Sequence, residues 1–456
     1  MLGETLMDFS SFLADNVSRK ALPTYVYGYP SKRTYRNFSN PLTMDDIVSA
    51  AAGFTGVNLY FHIPFCRYRC TYCTLFLTTR HSDDLKQAYV DRLIEYIRGY
   101  GRYFSDHTVE SIYFGGGTPT LLTAKQFEQL FQAIHASFPK VAEKCEITVE
   151  AAPDCLGDEL LDAIRDLGVN RMSMGIQSMQ PGELSHSGRP YAIDVAREAI
   201  TAISSRFAHV NLDLIYGLRG QSRDSWNQSL AEIIDYGPTT LSLYPVVVRP
   251  LTNISKTAVN DPELFFSAEE KYDIYDENVE KMARHGYKQE SFTRFTRLPS
   301  GDAYQQEASD FAGTPLIGFG AGARSHIGRY HFSTDYAVDR TVALDIVKSY
   351  ADRPFNAQAI ASQGITLSEE EMERRFVLLN LTLSHLDRKL YRQRFKKSID
   401  TMFSEQLRAL TSNGFITETG DGRLLLTTRG YKYSNIIARV FYSDRMIELE
   451  NSYQSV

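Results

Sequence analysis

The chain has 456 residues, of which 43% are hydrophobic and 23% are charged, and these values are typical of a globular protein with a large core. Its net charge of -6 argues against a nucleic-acid partner, and no apolar run approaches the roughly 20 residues that cross a bilayer. The opening residues, MLGETLMDFSSFLADN, lack the basic-then-apolar order of a signal peptide, so we expect a cytoplasmic protein.

Residues 1–54 show no clear periodicity, and the tyrosines in PTYVYGYPSKRTYRNF predict an extended segment that wraps a surface. Residues 55–345 then alternate short apolar runs with amphipathic stretches of helical spacing. Thr123 and Asp194 are predicted to begin helices, and Gly168 and Gly237 to end them. The apolar runs are VNLYFHI (57–63), VESIYFG (109–115), EITVEAA (146–152), RMSMGIQ (171–177), HVNLDLIYG (209–217) and TLSLYPVVV (240–248).

Six repeats of strand and helix predict an α/β fold, a parallel sheet curled into a partial (β/α)6 barrel of TIM type. Residues 346–456 show a different pattern, without the alternation of strands and helices. We predict a helix capped by Ser368, a second helix ending at Gly414, a hairpin turning at 420–422 and a last helix over 428–442. This order predicts a small winged-helix-like C-terminal domain that serves as a lid or docking module.

Three cysteines, Cys66, Cys70 and Cys73, follow the first predicted strand in the stretch FHIPFCRYRCTYC. We weighed a structural zinc site, which wants four protein ligands, as well as buried thiols and a redox pair. A [4Fe-4S] cluster held by three cysteines leaves one iron open to a small molecule, and the polar loop favours this interpretation. Cys145 and Cys155 stand apart and are expected to be small buried residues.

The other unusual motifs also fall at the carboxyl ends of predicted strands, where barrels of this kind carry their active sites. GGGTP follows strand two, Glu150 and Pro153 close strand three, Gln177 ends strand four, and Asp213 lies within strand five. Asp213 in an apolar strand would be a costly buried charge without a partner, which favours a ligand or a buried pair. Their common placement predicts one site at this face.

The cysteine motif resembles the signature of radical S-adenosylmethionine (SAM) enzymes. Residues 57–340 resemble the oxygen-independent coproporphyrinogen III oxidase (HemN-like) family. The supporting motifs are YFGGGTPT (113–120), VEAAPD (149–154), GVNRMSMGIQS (168–178), NLDLIYGL (211–218) and GFGAGARS (318–325). The resemblance implies a radical SAM barrel, a [4Fe-4S] cluster on the three cysteines, two SAM molecules, and an electron donor such as flavodoxin or ferredoxin. In that family the open iron binds the amino and carboxylate groups of one SAM.

The resemblance also implies two sets of SAM contacts. The first SAM would contact Tyr60, Gly116, Glu150 and the position of Arg324, where the oxidases carry an apolar residue. The second SAM would contact Tyr72, Gly117, Thr118, Gln177, Arg189, Asp213 and Val247. Glycines suit this role because the backbone can approach a ligand closely where no side chain intervenes.

Two departures from the family pattern indicate the reaction. Leu75 stands where the oxidases carry a further cysteine, and AYQQEASDFAG lacks the histidine motif of the related heme chaperones. With these two functions disfavoured, the chain resembles the branch of the family that contains the class C radical SAM methyltransferases and cyclopropanases. The predicted reaction is transfer of a SAM-derived methylene or methyl group to an sp2 carbon of a small-molecule natural product. An oxidative decarboxylase or dehydrogenase acting on a tetrapyrrole, or a heme chaperone, stays open as an alternative.

A proton must also move in such a reaction. Tyr216, Tyr244, Arg249 and His326 are candidates for this step by location only.

Overall fold

The structure is a computed structural model that describes residues 8–19, 25–249, 252–297, 304–337, 339–383 and 385–453. Residues 1–7 and 20–24 of the predicted N-terminal segment lie outside this range. Among the described residues, no helix combines the length and the apolar character needed to cross a bilayer.

Strands and helices alternate through most of the chain. The strands are β1 (Arg36–Leu42), β2 (Gly56–Ile63), β3 (Thr108–Gly116), β4 (Val141–Ala151), β5 (Arg171–Gln177), β6 (His209–Tyr216), β7 (Thr240–Pro245), β8 (Tyr287–Gln289), β9 (Arg294–Arg297), β10 (Leu316–Phe319), β11 (Arg324–Ile327), β12 (Tyr330–Ser333), β13 (Ala361–Thr366), β14 (His385–Asp387), β15 (Ile416–Glu418) and β16 (Arg423–Leu426). The helices are α1 (Phe9–Ser18), α2 (Met44–Ala51), α3 (Asp83–Phe104), α4 (Ala124–Ser137), α5 (Asp158–Asp166), α6 (Pro181–His186), α7 (Ile193–Ser204), α8 (Arg223–Asp235), α9 (Asn253–Asn260), α10 (Ala268–Arg284), α11 (Gln305–Ala312), α12 (Arg340–Asp352), α13 (Glu369–Thr382), α14 (Arg388–Phe395), α15 (Ile399–Met402), α16 (Ser404–Ser412), α17 (Thr428–Lys432), α18 (Ser434–Arg439) and α19 (Asp444–Asn451).

The chain divides into two compact units. The barrel unit comprises Tyr35–Phe266 and Thr296–Thr366, and the helical unit comprises Met1–Thr34, Ser267–Phe295 and Leu367–Ser455. The division at residues 54 and 345 expected from the sequence stays a prediction.

The sheet of the barrel unit has the strand order β1-β13-β12-β11-β10-β2-β3-β4-β5-β6-β7. Each neighbouring pair from β2 to β7 is parallel, and β10 also runs parallel to β2. Six parallel strands in chain order, joined by helices, confirm the predicted partial (β/α)6 barrel. Parallel pairing brings all their carboxyl ends to one edge, where the cysteine loop begins.

The helix boundaries follow local signals in the sequence. Thr123 caps α4 in a reciprocal pair with Gln126, and Gly168 and Gly237 adopt positive φ just after α5 and α8, as predicted. Asp194 does not begin α7, because it lies in the first turn and pairs with Arg197 instead.

Residues along the parallel strands alternate between two environments. Apolar side chains such as Phe61, Phe114 and Leu214 are buried, whereas their neighbours carry polar groups that bond from strand to strand. The Ser111 hydroxyl donates to Asn58 Oδ1 at 2.7 Å, and Asn211 Nδ2 donates to Ser173 Oγ at 3.0 Å. The inner face of the curved sheet is therefore a polar lumen, although the sequence runs read as mostly apolar.

The N-terminal part of the chain differs from the expected extended segment. It contains α1 and α2, and α2 begins at a capping box in which Thr43 and Asp46 bond each other's backbone N–H groups. Strand β1 pairs with β13, more than 300 residues later in the chain, so no local periodicity could reveal it.

The helical unit contains α13 to α16 followed by the β15–β16 hairpin, with β14 completing a three-stranded antiparallel sheet. Ser368 caps α13 as predicted, whereas the second expected helix is broken into α15 and α16 and the last one into α17 and α18. Two buried carboxylates organise the unit: Glu371 accepts from Tyr29 and Glu373 accepts from Tyr391. The order of elements agrees with the predicted winged-helix-like arrangement.

Candidate active site

The cysteine loop leaves β2 at the carboxyl edge of the sheet and folds back on itself. Cys66 N–H donates to the Thr78 carbonyl at 3.0 Å, which closes the loop, and Cys73 N–H donates to the Cys70 carbonyl at 3.1 Å. Farther along, Thr71 N–H donates to the Ser187 carbonyl at 3.0 Å. The loop that carries the three thiols is therefore held from both sides by backbone hydrogen bonds.

A second anchor lies at the end of β4. Arg67 Nη1 donates to the Asp154 carbonyl at 2.6 Å, and Tyr68 Oη donates to Asp154 Oδ1 at 3.0 Å. Asp154 thus fixes the polar stretch between Cys66 and Cys70 in one position.

The glycine turn after β3 lies directly against the start of the cysteine loop. Gly117 N–H donates to the Ile63 carbonyl at 2.8 Å, and a Cβ at Gly117 would lie 2.6 Å from the Phe65 carbonyl oxygen. Gly116 has φ +109°, and a Cβ there would lie 2.5 Å from the His62 ring. Only glycine permits this close packing of the turn against the cysteine loop, and the predicted contact of the turn with SAM stays a prediction.

Burial disfavours the thiolate form of two of the three cysteines. Burial raises the pKa of Cys66 to about 12, although a 3.4 Å hydrogen bond with the Thr118 hydroxyl acts in the opposite direction. Burial likewise raises the pKa of Cys73 to about 11. Iron binding would stabilise the thiolates that burial disfavours, as metal coordination deprotonates cysteine.

Within the described ranges, no three His, Cys, Asp or Glu side chains converge closely enough to hold a single metal ion. Cys145 and Cys155 are buried, as predicted.

The residues predicted to contact the first SAM come together beside this loop. Glu150 accepts hydrogen bonds from Tyr113 Oη at 2.6 Å and from Gly116 N–H at 2.9 Å. Burial raises the pKa of Glu150, and these two hydrogen bonds oppose the shift. Tyr60 is close enough to both Glu150 and Arg324 for the two charges to affect its pKa, which burial raises.

Three of the residues predicted to contact the second SAM, namely Gln177, Arg189 and Asp213, meet around Gly175. A Cβ at Gly175 would lie 2.5 Å from Gln177 Nε2 and 3.4 Å from Arg189 Nη2, and Asp213 is its partner on β6. Arg189 Nη1 also donates to the Gly175 carbonyl at 2.6 Å. Gln177 itself has φ +74°, an unusual conformation for a residue with a side chain and one that is frequent at functional sites.

Arg189 is a buried cation that lacks an anionic partner among the described residues. It is only 9% exposed, and among the described residues no carboxylate forms an ion pair with it and no acceptor lies at its Nε atom. Its charge opposes the rise in pKa that burial causes at Tyr72. A carboxylate-bearing ligand would complete this arrangement.

An apolar wall borders the same region. Tyr72 and Tyr244 pack against a cluster of buried side chains, namely Ile215, Leu218, Val246 and Ile254. Val247, also predicted for the second SAM, is half-buried and follows Val246 of this cluster in the sequence.

The four proton-transfer candidates do not share one location. The Tyr216 ring packs on Trp226 of α8 at 5.3 Å, behind the sheet, whereas Tyr244 belongs to the apolar wall. His326 contacts Asp310 at 3.1 Å and lies opposite Leu316, which pairs with Asn58 near the amino end of β2. Arg249 is half-buried in the segment after β7. Tyr244 is therefore the candidate that contacts the site.

The lumen also contains polar residues beside the site that the sequence analysis did not single out. Asn211 Nδ2 donates to Asp213 Oδ1 at 2.7 Å, which gives the aspartate its buried partner. The Arg171 guanidinium lies 4.7 Å from the Tyr304 ring, and its charge opposes the rise in the pKa of Glu150 that burial causes. Polar residues within otherwise apolar strands, as in GVNRMSMG, were the sequence signal that could have identified Arg171 and Asn211.

Comparison with known proteins agrees with this geometry. Residues 60–233 match the family model of the radical SAM superfamily. This part of the chain is similar to radical SAM domains. The match bears out the predicted superfamily and its cofactors, a [4Fe-4S] cluster and SAM, but not the finer branch within it.

The chain is similar to several curated proteins over most of its length. It is 27% identical to the heme chaperone HemW of Bacillus subtilis over 397 residues, which cover 84% of this chain and 99% of that protein. It is 28% identical to the oxygen-independent coproporphyrinogen III oxidase of Salmonella typhimurium over 426 residues, 87% of this chain and 90% of that one. A shorter match, 29% over 297 residues, covers 64% of this chain and 66% of the anaerobilin synthase of Escherichia coli O157:H7.

The fold is similar to the solved structure of coproporphyrinogen III oxidase (HemN) from Escherichia coli. The TM-score is 0.75 at 23% identity, and the match covers 91% of this chain and 96% of that one. The relatives described above lend no support to the predicted methyltransferase or cyclopropanase branch and favour the oxidase and chaperone alternatives.

Proposed function

We propose that this protein is a radical SAM enzyme that abstracts hydrogen from a tetrapyrrole and thereby starts an oxidative decarboxylation or dehydrogenation. The observation that carries the proposal is the convergence of the three-cysteine loop, the Gly116 turn and the Glu150 carboxylate at one edge of the sheet. A reduced [4Fe-4S] cluster with bound SAM would supply a 5′-deoxyadenosyl radical there.

The protein's own residues would bind and orient the cofactors. Cys66, Cys70 and Cys73 would hold the cluster. Glu150, fixed by Tyr113 and Gly116, has free lone pairs that could accept from the ammonium or ribose hydroxyls of the first SAM.

A second SAM would occupy the polar group around Gly175. Arg189 lacks a carboxylate partner among the described residues and would pair with the methionine carboxylate, while Asp213 would accept from the ammonium group. Tyr72, Tyr244 and the neighbouring apolar cluster would cover the less polar part of that molecule and limit access of water.

The similar proteins support a tetrapyrrole as the substrate class. Heme and coproporphyrinogen are tetrapyrroles, and a bilin is a linear one, so all three kinds of relative are named for this chemistry. The lumen offers a matching flat surface, since the rings of Tyr60 and Tyr113 lie 6.0 Å apart at an angle of 25°.

Two other reactions compete with oxidation. Alkyl transfer from the second SAM agrees with Leu75, which occupies the position of the oxidases' additional cysteine and is 53% exposed. Heme delivery is favoured by a specific observation: the match to the HemW chaperone of Bacillus subtilis spans 99% of that protein. An electron donor such as flavodoxin or ferredoxin is part of the proposal for either enzyme.

Product analysis distinguishes these functions. Reconstituted, reduced protein would be incubated anaerobically with SAM and either coproporphyrinogen III or heme, and the products separated by mass spectrometry. The proposal predicts 5′-deoxyadenosine together with an oxidised tetrapyrrole, and no S-adenosylhomocysteine. S-adenosylhomocysteine with an alkylated product would indicate alkyl transfer, whereas stable heme binding without 5′-deoxyadenosine would indicate a chaperone.

A further inference from the structure

A row of lumen positions crosses four neighbouring strands beside the proposed first-SAM site. Tyr60 on β2 pairs with Gly318 on β10, and Arg324 on β11 pairs with Ser333 on β12. A Cβ at Gly318 would lie 2.2 Å from the Arg324 carbonyl oxygen, so no side chain fits between Tyr60 and Arg324. Tyr60 and Arg324 therefore lie on either side of Gly318 in one row across the sheet, close enough for the Arg324 charge to act on the Tyr60 hydroxyl.

Arg324 is the charged residue of this row. It is half-buried, and within the described part of the chain it forms no ion pair. Its charge reaches Tyr60, where it opposes the rise in pKa caused by burial. A partly desolvated guanidinium of this kind is suited to a carboxylate, which its planar N–H groups can bind in a bidentate manner.

A second, independent feature points to a ligand at the same place. Ser333 is 2% exposed, and its Oγ atom has no hydrogen-bonding partner among the described residues. Directly opposite residues of an antiparallel pair present their side chains on the same face, so this hydroxyl lies beside Arg324. Leaving a buried hydroxyl without a partner costs free energy, and a bound carboxylate would remove that cost.

The two SAM molecules do not account for this cation. The resemblance implies that the first SAM carboxylate binds the open iron, and the second is proposed to pair with Arg189. An anion that pairs with Arg324 would then come from another molecule.

We propose that Arg324 and Ser333 bind a carboxylate of the tetrapyrrole substrate, such as a propionate group, while its ring system lies toward Tyr60 and Tyr113. This inference rests on the proposed tetrapyrrole function and adds a residue pair that selects acidic tetrapyrroles over uncharged ones. Arg324 acts as a specificity residue, since it holds the substrate and takes no part in bond breaking.

The test compares binding of coproporphyrin III with that of its tetramethyl ester, whose carboxylates are masked. Cluster-loaded wild type, R324M, R324K and S333A would be titrated by porphyrin absorbance in the presence of SAM. We expect R324M to weaken binding of the free acid by about ten- to hundredfold and S333A by about three- to tenfold. R324K should retain part of the affinity, and the ester should bind all four proteins alike.

A second readout separates substrate binding from cofactor binding and from misfolding. R324M should keep its iron content, and the SAM-induced change in the electron paramagnetic resonance spectrum of its reduced cluster measures whether the substitution disturbs the first SAM. Loss of that change would assign Arg324 to SAM and overturn the inference. Equal binding of the free acid by wild type and R324M would also overturn it, but would leave the proposed function intact. Failure of wild type to bind either porphyrin would remove both proposals.

Discussion

Glu150 on β4 accepts a hydrogen bond from the backbone N–H of Gly116 on β3 at 2.9 Å. This contact joins an acidic side chain to the glycine turn that packs against the cysteine loop. A side chain at Gly116 has no room, because its Cβ would meet the His62 ring. The acid and the turn therefore form one rigid unit, and its disruption should affect SAM before it affects the cluster.

Replacement of Glu150 by glutamine should preserve iron content but weaken SAM binding by about tenfold or more, because the charged acceptor is lost. Equilibrium dialysis with labelled SAM would measure the change. Glu146→Gln, on the same strand but bonded to Thr148 and Gln305, provides a control that should bind SAM normally. Equal affinities in wild type and E150Q would contradict the proposed role.

The same carboxylate predicts a pH dependence. Burial raises the pKa of Glu150, so it takes up a proton at a higher pH than an exposed glutamate does. SAM affinity should therefore fall on acidification, and the fall should begin at a higher pH than the usual range of a glutamate. Dialysis across the mildly acidic range would show the decline in wild type and its absence in E150Q.

Thr118 should tune the cluster through its hydrogen bond to Cys66. Removal of the hydroxyl in Thr118→Val should make the reduction potential more negative, because hydrogen bonds to the sulfurs stabilise the reduced, more negative cluster. A net hydrogen bond of about 1 kcal/mol corresponds to about 40 mV for one electron. Thr120→Val is a matched control, since this nearby buried hydroxyl has no partner among the described residues. A redox titration that gave both variants the wild-type potential would disprove this role.

Tyr89 should stabilise the edge of the site. Its hydroxyl donates to the His62 carbonyl and accepts from Ala321 N–H, both at 2.8 Å. Tyr89→Phe leaves a buried N–H group without its acceptor and should cost about 1–3 kcal/mol of unfolding free energy. Tyr96→Phe is the control, because the Tyr96 ring contacts Tyr350 and Phe355 and its substitution keeps these contacts. Denaturant unfolding of the two variants would separate the outcomes, and equal stability would contradict the assigned hydrogen bonds.

Asp154 should hold the cysteine loop in place for cluster assembly. Asp154→Ala removes acceptors from Arg67 and Tyr68, so we expect slower cluster reconstitution and earlier loss of iron on warming. The Arg67 pair is largely exposed and should contribute little, so most of the effect should come from Tyr68. Asp158→Ala, which removes a surface pair with Arg206, should leave reconstitution unchanged. Iron content over time measures both.

The sequence was informative where its signals are local. The apolar runs predicted β2 to β7 to within a few residues, and the cysteine spacing and the GGG turn located the site at the carboxyl ends of the strands. It was uninformative where partners are distant in the chain: the pairing of β1 with β13 and the bond between Asn58 and Ser309 depend on tertiary contacts. The row from Tyr60 to Ser333 is likewise a property of register across four strands, which no single motif contains.

The central claim is that the three-cysteine loop holds a [4Fe-4S] cluster with an iron that is open to SAM. The most direct measurement is electron paramagnetic resonance of anaerobically reconstituted, reduced protein with and without SAM. The account predicts the signal of a reduced [4Fe-4S] cluster that changes when SAM is added, and that disappears when Cys66, Cys70 or Cys73 is replaced by alanine. A cluster that persists in these variants, or a wild-type signal that SAM leaves unchanged, would contradict it.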